Sequence, residues 1–67
     1  MAQCTLRISG EGVKVVEFEE GQDTLKDLVQ KDGGVYRASG NGVIQNPDTF
    51  LATQGMIVDW TPAPKAA

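Results

Sequence analysis

Apolar and polar residues alternate at every position near the start of the chain, over Thr5–Ser9. A period of two is typical of a β-strand that is buried on one face, and it places Leu6 and Ile8 inward, on the same side as Cys4. The glycines of Gly10–Gly12 then interrupt the pattern before a second alternating stretch begins. A short glycine-containing loop between two such stretches predicts an antiparallel hairpin.

The second stretch, Val13–Glu19, keeps the alternation except at Val15 and Val16. Glutamates are poor core residues, so we expect Val16 and Phe18 to face inward, with Lys14 at the open end of the strand. The two adjacent valines break the period of two. We expect a β-bulge at this point to absorb the mismatch.

The spacing of apolar residues changes after residue 22 from two to three and four, which is the period of an amphipathic helix. Asp23 or Thr24 can cap this helix by accepting hydrogen bonds from its first free backbone amides. Gly33-Gly34 is expected to end it, because glycine adopts the left-handed conformation of a C-terminal cap. The helix is then roughly nine residues long, too short to be stable in water unless it docks onto the sheet. Its apolar face consists of Leu25, Leu28 and Val29.

Three further strands are predicted after the helix, at Val35–Ser39, Val43–Gln45 and Met56–Trp60. An Asn-Pro-Asp-Thr segment separates the last two, because proline cannot donate to a β-ladder and the following residues favour a turn. Phe50 and Leu51 are expected to close the bottom of the core. The tryptophan at the end of the last strand fits either the core or a binding patch, since aromatic anchors are common in interfaces.

Together these elements predict an α+β fold with a mixed four- to five-stranded sheet and one helix packed on one face. Residues 1–61 form a single domain, and residues 62–67 are expected to be a disordered tail. The chain has 67 residues, a net charge of −3 and scattered basic residues, which argues against nucleic-acid binding. It has no apolar run long enough for a membrane span, and its single cysteine cannot form an internal disulfide. The expected location is therefore the cytoplasm.

The order hairpin, helix, strand, short strand and last strand resembles the β-grasp, or ubiquitin-like, fold over residues 4–61. Glu17-Phe18-Glu19 leading into Asp23-Thr24-Leu25 is similar to ubiquitin's own entry into its helix. Gly55–Trp60 resembles the strand that ends the sulfur carriers of the ThiS and MoaD type. Those carriers act through a C-terminal Gly-Gly, whereas this sequence closes with Ala63–Ala67, so carrier chemistry is the less favoured expectation.

The side chains offer little catalytic chemistry. Histidine is absent, which removes the commonest general base, a common metal ligand and every Ser-His or Cys-His pair. Cys4 lies on the inward side of its strand, where a buried structural thiol is favoured over a nucleophile. The acidic run at the end of the hairpin fits a solvated face better than a site for a divalent cation, so no catalytic residue, cofactor or metal site is predicted. That run comprises Glu17, Glu19, Glu20 and Asp23.

The best indication of function is the face of the sheet that a single helix leaves uncovered. Ile57, Val13 and Val15 are predicted to point into solvent there unless a partner covers them. We expect a non-enzymatic protein-interaction module that binds a protein partner through this face or an edge strand, with Glu17 and Glu19 setting the charge complementarity. The alternative is a small structural or self-assembling component, such as a homo-oligomer or a phage-type accessory protein, that uses the same face symmetrically.

Overall fold

The computed structural model describes residues 1–63, which form five β-strands and one α-helix. The elements predicted from the sequence are all present; the bounds of the strands differ slightly and the helix is shorter than predicted. Pro62 and Ala63 follow the last strand outside any regular element, and the rest of the predicted tail, residues 64–67, lies outside the described residues. The strands are β1 (Ala2–Ile8), β2 (Gly12–Phe18), β3 (Val35–Ala38), β4 (Gly42–Ile44) and β5 (Ile57–Thr61), and the helix is α1 (Leu25–Val29).

All five strands join in one mixed sheet with the order β2-β1-β5-β3-β4. The first and last strands lie side by side in parallel at its centre, and the other neighbours are antiparallel. The helix connects β2 to β3 and packs on one face of the sheet. The predicted α+β class, with a mixed five-stranded sheet and a helix on one face, is therefore confirmed over residues 1–63.

The β1–β2 hairpin pairs residue for residue along its whole length. The β-bulge predicted at Val15 and Val16 is wrong, because each residue of one strand faces one residue of the other. The side of β2 that faces the helix carries Val16 and Phe18, as predicted, and also Lys14. Lys14 lies near the turn of the hairpin, not at the open end where it was expected, and it stays exposed, so the regular alternation leaves no charge buried.

Thr24 begins the helix as its N-cap. Its hydroxyl accepts a hydrogen bond from the backbone N–H of Asp27 (3.3 Å), and the Asp27 carboxylate accepts one from the N–H of Thr24 (3.1 Å). This reciprocal pair is a capping box. The helix has five residues, because Gln30 turns left-handed (φ 59°) and donates its N–H to the carbonyl of Lys26. The predicted length of about nine residues and the predicted stop at Gly33-Gly34 are therefore wrong.

The core lies between the helix and the sheet. Leu25 and Val29 are buried and Leu28 is partly buried, so the predicted apolar face of the helix is confirmed. Phe50 packs against the core, but the prediction for Leu51 is wrong, since it is 44% exposed and pairs its backbone with the residue before the helix. The buried residues are Ala2, Cys4, Leu6, Ile8, Phe18, Leu25, Val29, Tyr36, Ala38, Ile44, Ala52, Met56 and Val58.

Trp60 joins the loop after the helix to the end of β5. It is partly buried against the core, which is the first of the two roles left open by the sequence. Its indole Nε1 donates to the carbonyl of Gly33 (3.0 Å), and Lys31 Nζ lies 5.7 Å from the ring centroid as a cation–π contact. Gly34 passes so close that a Cβ there would lie 2.6 Å from the indole nitrogen. The loop therefore requires glycine at this position, because a Cβ atom would collide with the indole ring.

Candidate functional site

The face of the sheet opposite the helix is left to solvent over the described residues. Alternate side chains of each strand lie on it, because successive residues of a strand point to opposite sides of the sheet. The register of the ladders orders these side chains into rows that cross the strands. Two neighbouring rows near the middle of the sheet carry the features described below, and we call the surface that they form the open face.

The first row crosses β2, β1 and β5 through Val15, Thr5 and Ile57. Val15 is 62% exposed and Ile57 is 39% exposed, while Val13, two residues from Val15 on the same strand, is 67% exposed. The prediction that these three apolar residues point into solvent is confirmed. Thr5 lies between Val15 and Ile57 in the row, so the three exposed apolar residues lie close together on this face, and we call them the apolar patch.

The second row crosses all five strands through Val13, Arg7, Asp59, Arg37 and Val43. Arg7 binds Asp59 with two hydrogen bonds, from Nε to Oδ1 and from Nη2 to Oδ2 (2.7 Å). The hydrogen bond from Arg7, aided by the charge of Arg37, holds the pKa of the Asp59 carboxyl below its ordinary value. Two arginines and one aspartate leave a single positive charge at the centre of the row, with an exposed valine at each end.

A shallow depression of about 390 Å³ lies beside the second row, where β1, β3 and β5 meet. Val13 and Val35 form apolar parts of its wall, and the arginines of the row contribute charged parts. The depression opens broadly to solvent. Sites that bind small molecules bury most of their ligand in an enclosed cleft, so this shape suits contact with a macromolecule better.

The two glutamates predicted to set charge complementarity lie in different places. Glu17 is on the same face as the valines, opposite Gln3 of β1. Glu19 lies just past the end of β2, where its backbone N–H donates to Oδ2 of Asp23 (3.0 Å). Within residues 1–63, neither carboxylate makes an ion pair. The structure therefore brings Glu17 to the apolar patch and leaves Glu19 at the adjoining corner of the sheet.

Sequence reasoning misses five residues of the open face: Thr5, Arg7, Asp59, Arg37 and Val43. The alternation of β1 and β5 already places Arg7 and Asp59 opposite the buried side chains of their own strands. Their pairing depends on β1 and β5 being neighbours, which is a contact between the two ends of the chain and leaves no local signal in the sequence.

The described residues offer little other chemistry. Cys4 is buried in the core, and burial raises the pKa of its thiol, which disfavours the reactive thiolate. Over residues 1–63, no three side chains of the metal-binding types lie together, and no helix there has the length and apolar character needed to cross a bilayer. Comparison of the chain with protein-family models, curated proteins and solved structures finds no match. Functional inference therefore depends on the geometry of the open face.

Proposed function

We propose that this domain is a non-enzymatic, β-grasp protein-interaction module that binds a protein partner through the open face of its sheet. The strand order β2-β1-β5-β3-β4, with a parallel central pair and a helix after the hairpin, supports the β-grasp resemblance. The observation that carries the functional proposal is the patch of Val13, Val15 and Ile57, which is solvent-exposed on β2 and β5, the two strands that flank β1.

The energetics of the patch favour a role in binding over a role in folding. Burying a valine or isoleucine side chain fully contributes about 1.5–3 kcal/mol relative to leaving it exposed, and the isolated domain gains only part of this stabilisation because the three side chains are only partly covered. A partner that covers the patch gains the rest. The paired charges of Arg7 and Asp59, with Arg37 beside them, then supply a polar rim of the kind that surrounds the apolar centre of an interface.

The proposal is tested by Ile57→Glu, with Leu51→Glu as the matched control at an exposed apolar residue outside the open face. Both side chains are exposed, at 39% and 44%, so both variants should keep the circular dichroism and melting temperature of the original protein. Proteins captured by the original domain from an extract of its source organism should be lost with Ile57→Glu and retained with Leu51→Glu. Each captured protein is then purified and titrated by calorimetry.

Unchanged binding by Ile57→Glu would refute a role for the patch. Unfolding of Ile57→Glu would mean that the side chain serves the core rather than an interface. Sedimentation velocity separates binding from self-assembly, the alternative function considered from the sequence. We expect a monomer at all concentrations, and a concentration-dependent dimer would favour symmetrical association instead.

A further inference from the structure

The outer edge of β2 presents backbone groups that nothing in the described structure occupies. Thr5 donates its N–H to the carbonyl of Met56 (2.9 Å), and the carbonyl of Gln3 accepts from Gly55 (2.8 Å). The backbone groups of Gln3 and Thr5 therefore point toward β5. Because neighbouring residues of a strand direct these groups to opposite sides, Cys4 between them and Leu6 after them bond to β2.

This alternation along β1 determines which residues of β2 direct their backbone N–H and carbonyl groups away from β1. Thr5 is opposite Val15 in the hairpin, so Val15 directs its N–H and carbonyl away from β1, as do Val13 and Glu17 on either side of it. Within residues 1–63 these three residues make no backbone hydrogen bond beyond their own hairpin. The free edge ends at Glu19, where the outward N–H is taken by the carboxylate of Asp23.

The edge lacks the usual features that prevent strand addition. It is seven residues long, regular, and free of proline and of bulges, whereas natural edge strands are commonly shortened, bulged or interrupted. Lys14, the one lysine of the strand, lies on the helix side rather than among the valines. The opposite edge of the sheet, β4, has only three residues. By the same alternation of backbone direction, Val43 is the one residue of β4 that directs its backbone N–H and carbonyl away from β3.

The charge of the chain is concentrated beside this edge. Residues 11–20 contain four glutamates and one lysine, so they carry a net charge of −3, equal to that of the whole chain. The charges of the remaining five acidic and five basic residues cancel one another. Glu11 is bound to Lys31, but Glu17 and Glu19 make no ion pair among the described residues. An approaching strand therefore meets unpaired hydrogen-bonding groups, exposed valines and uncompensated negative charge together.

We propose that β2 binds an extended, basic segment of a partner protein as a sixth strand of the sheet. This inference rests on the proposed function, and it specifies that the bound part of the partner is extended and basic. The backbone of the segment bonds to Val13, Val15 and Glu17. Its apolar side chains lie against the two valines, and its lysine or arginine side chains lie near Glu17 and Glu19.

A second copy of this chain fits the edge poorly. Antiparallel pairing centred on Val15 would lay residues 11–20 of the two copies side by side, and each of these segments carries a net charge of −3. Like charges on neighbouring strands are destabilising. The charge distribution therefore favours a basic partner over self-pairing.

The first test is selection from a random decapeptide display library against the intact domain. Enriched peptides should carry two apolar and two basic residues at successive alternate positions, matching Val13, Val15, Glu17 and Glu19 on one face, and should protect the amides of Val13, Val15 and Glu17 from hydrogen exchange. Enrichment of acidic or neutral sequences would overturn the inference, as would protection of β4 or no enrichment at all. A dimer formed through β2 in sedimentation would overturn it as well.

The second test is Val15→Pro, titrated with the selected peptides against Val15→Thr. Proline removes the outward N–H without touching the ladder to β1, and it should weaken binding about tenfold or more. Val15→Thr keeps the N–H and should weaken binding only about threefold. If Val15→Pro unfolds, amide protection in the original protein decides the matter. The pair Glu17→Lys and Glu19→Lys, made together, should reverse the preference to acidic peptides.

The outcomes distinguish this inference from the proposed function. If peptide binding requires Ile57 but is indifferent to Val15→Pro, the open face binds partners and strand addition is refuted. If binding is indifferent to Ile57→Glu and Val15→Pro alike, both proposals fail.

Discussion

Substituting Gly34 by alanine tests the tight contact between this glycine and the end of β5. A Cβ at this position would lie 2.6 Å from the carbonyl oxygen of Thr61 and 2.6 Å from Nε1 of Trp60. Gly40 supplies the matched control, because its φ of +80° is almost the same as the +81° of Gly34 and nothing lies within 4 Å of its Cβ position. The two variants therefore share the conformational strain and differ in the collision.

The expected losses in the free energy of unfolding differ clearly between the two variants. A left-handed conformation costs a non-glycine residue about 1–2 kcal/mol, and this applies to both Gly40→Ala and Gly34→Ala. The collision adds roughly 1–3 kcal/mol at Gly34, the range seen when a packed site is overfilled. A single core in a domain of this size supplies no more than about 3–5 kcal/mol. Gly34→Ala should therefore leave much of the protein unfolded at 25 °C, while Gly40→Ala should remain folded.

Urea unfolding followed by tryptophan fluorescence and by far-ultraviolet circular dichroism measures both effects. The chain has one tryptophan, so the fluorescence reports on the ring that the new methyl group would displace. In the folded fraction of Gly34→Ala the emission should shift to the red, because the indole moves outward and loses its bond to Gly33. Equal losses of stability in the two variants would refute the role assigned to Gly34.

Two further predictions concern the helix cap and the ion pair. Thr24→Ala removes the capping box with Asp27 and should lower the free energy of unfolding by about 1 kcal/mol, which thermal melting detects, while Thr24→Ser should be nearly neutral. Asp59→Asn removes an exposed pair with Arg7 and should cost less than about 1 kcal/mol at pH 7. Because the folded-state pKa of Asp59 is lowered, its stabilisation is complete above the ordinary aspartate pKa and is lost as pH falls through the folded value. The difference between the original protein and Asp59→Asn in urea unfolding should therefore shrink in acid, and a difference that grows instead would contradict the sign of the shift.

Local patterns in the sequence predict most of the elements but not their limits. Alternation correctly places Leu6 and Ile8 inside, because burial on one face imposes a period of two whatever the neighbouring strand is. The expected bulge in β2 is wrong, because Lys14 can occupy a helix-side position near the end of the hairpin and still reach water. The helix ends at Gln30, where a residue other than glycine adopts φ 59°, a conformation that composition does not predict.

The candidate site is predictable only where it depends on one strand at a time. Exposure of Val13, Val15 and Ile57 follows from alternation and the presence of a single covering helix. The Arg7–Asp59 pair and the outward direction of the Val15 backbone depend on β1 lying between β2 and β5. Pairing between residues more than fifty positions apart is set by the packing of the whole domain. The periodicity of a short stretch of sequence does not reveal such a long-range pairing.

The central position of β5 has a consequence for biosynthesis. Nothing else in the sheet joins the amino-terminal hairpin to the β3–β4 pair, so the two remain separate ribbons until residues 57–61 have been made. Isolated two-stranded ribbons are marginal in water. A nascent chain that stops before residue 57 therefore exposes the apolar surfaces of both ribbons and is a substrate for chaperones and proteases rather than a slightly shortened domain.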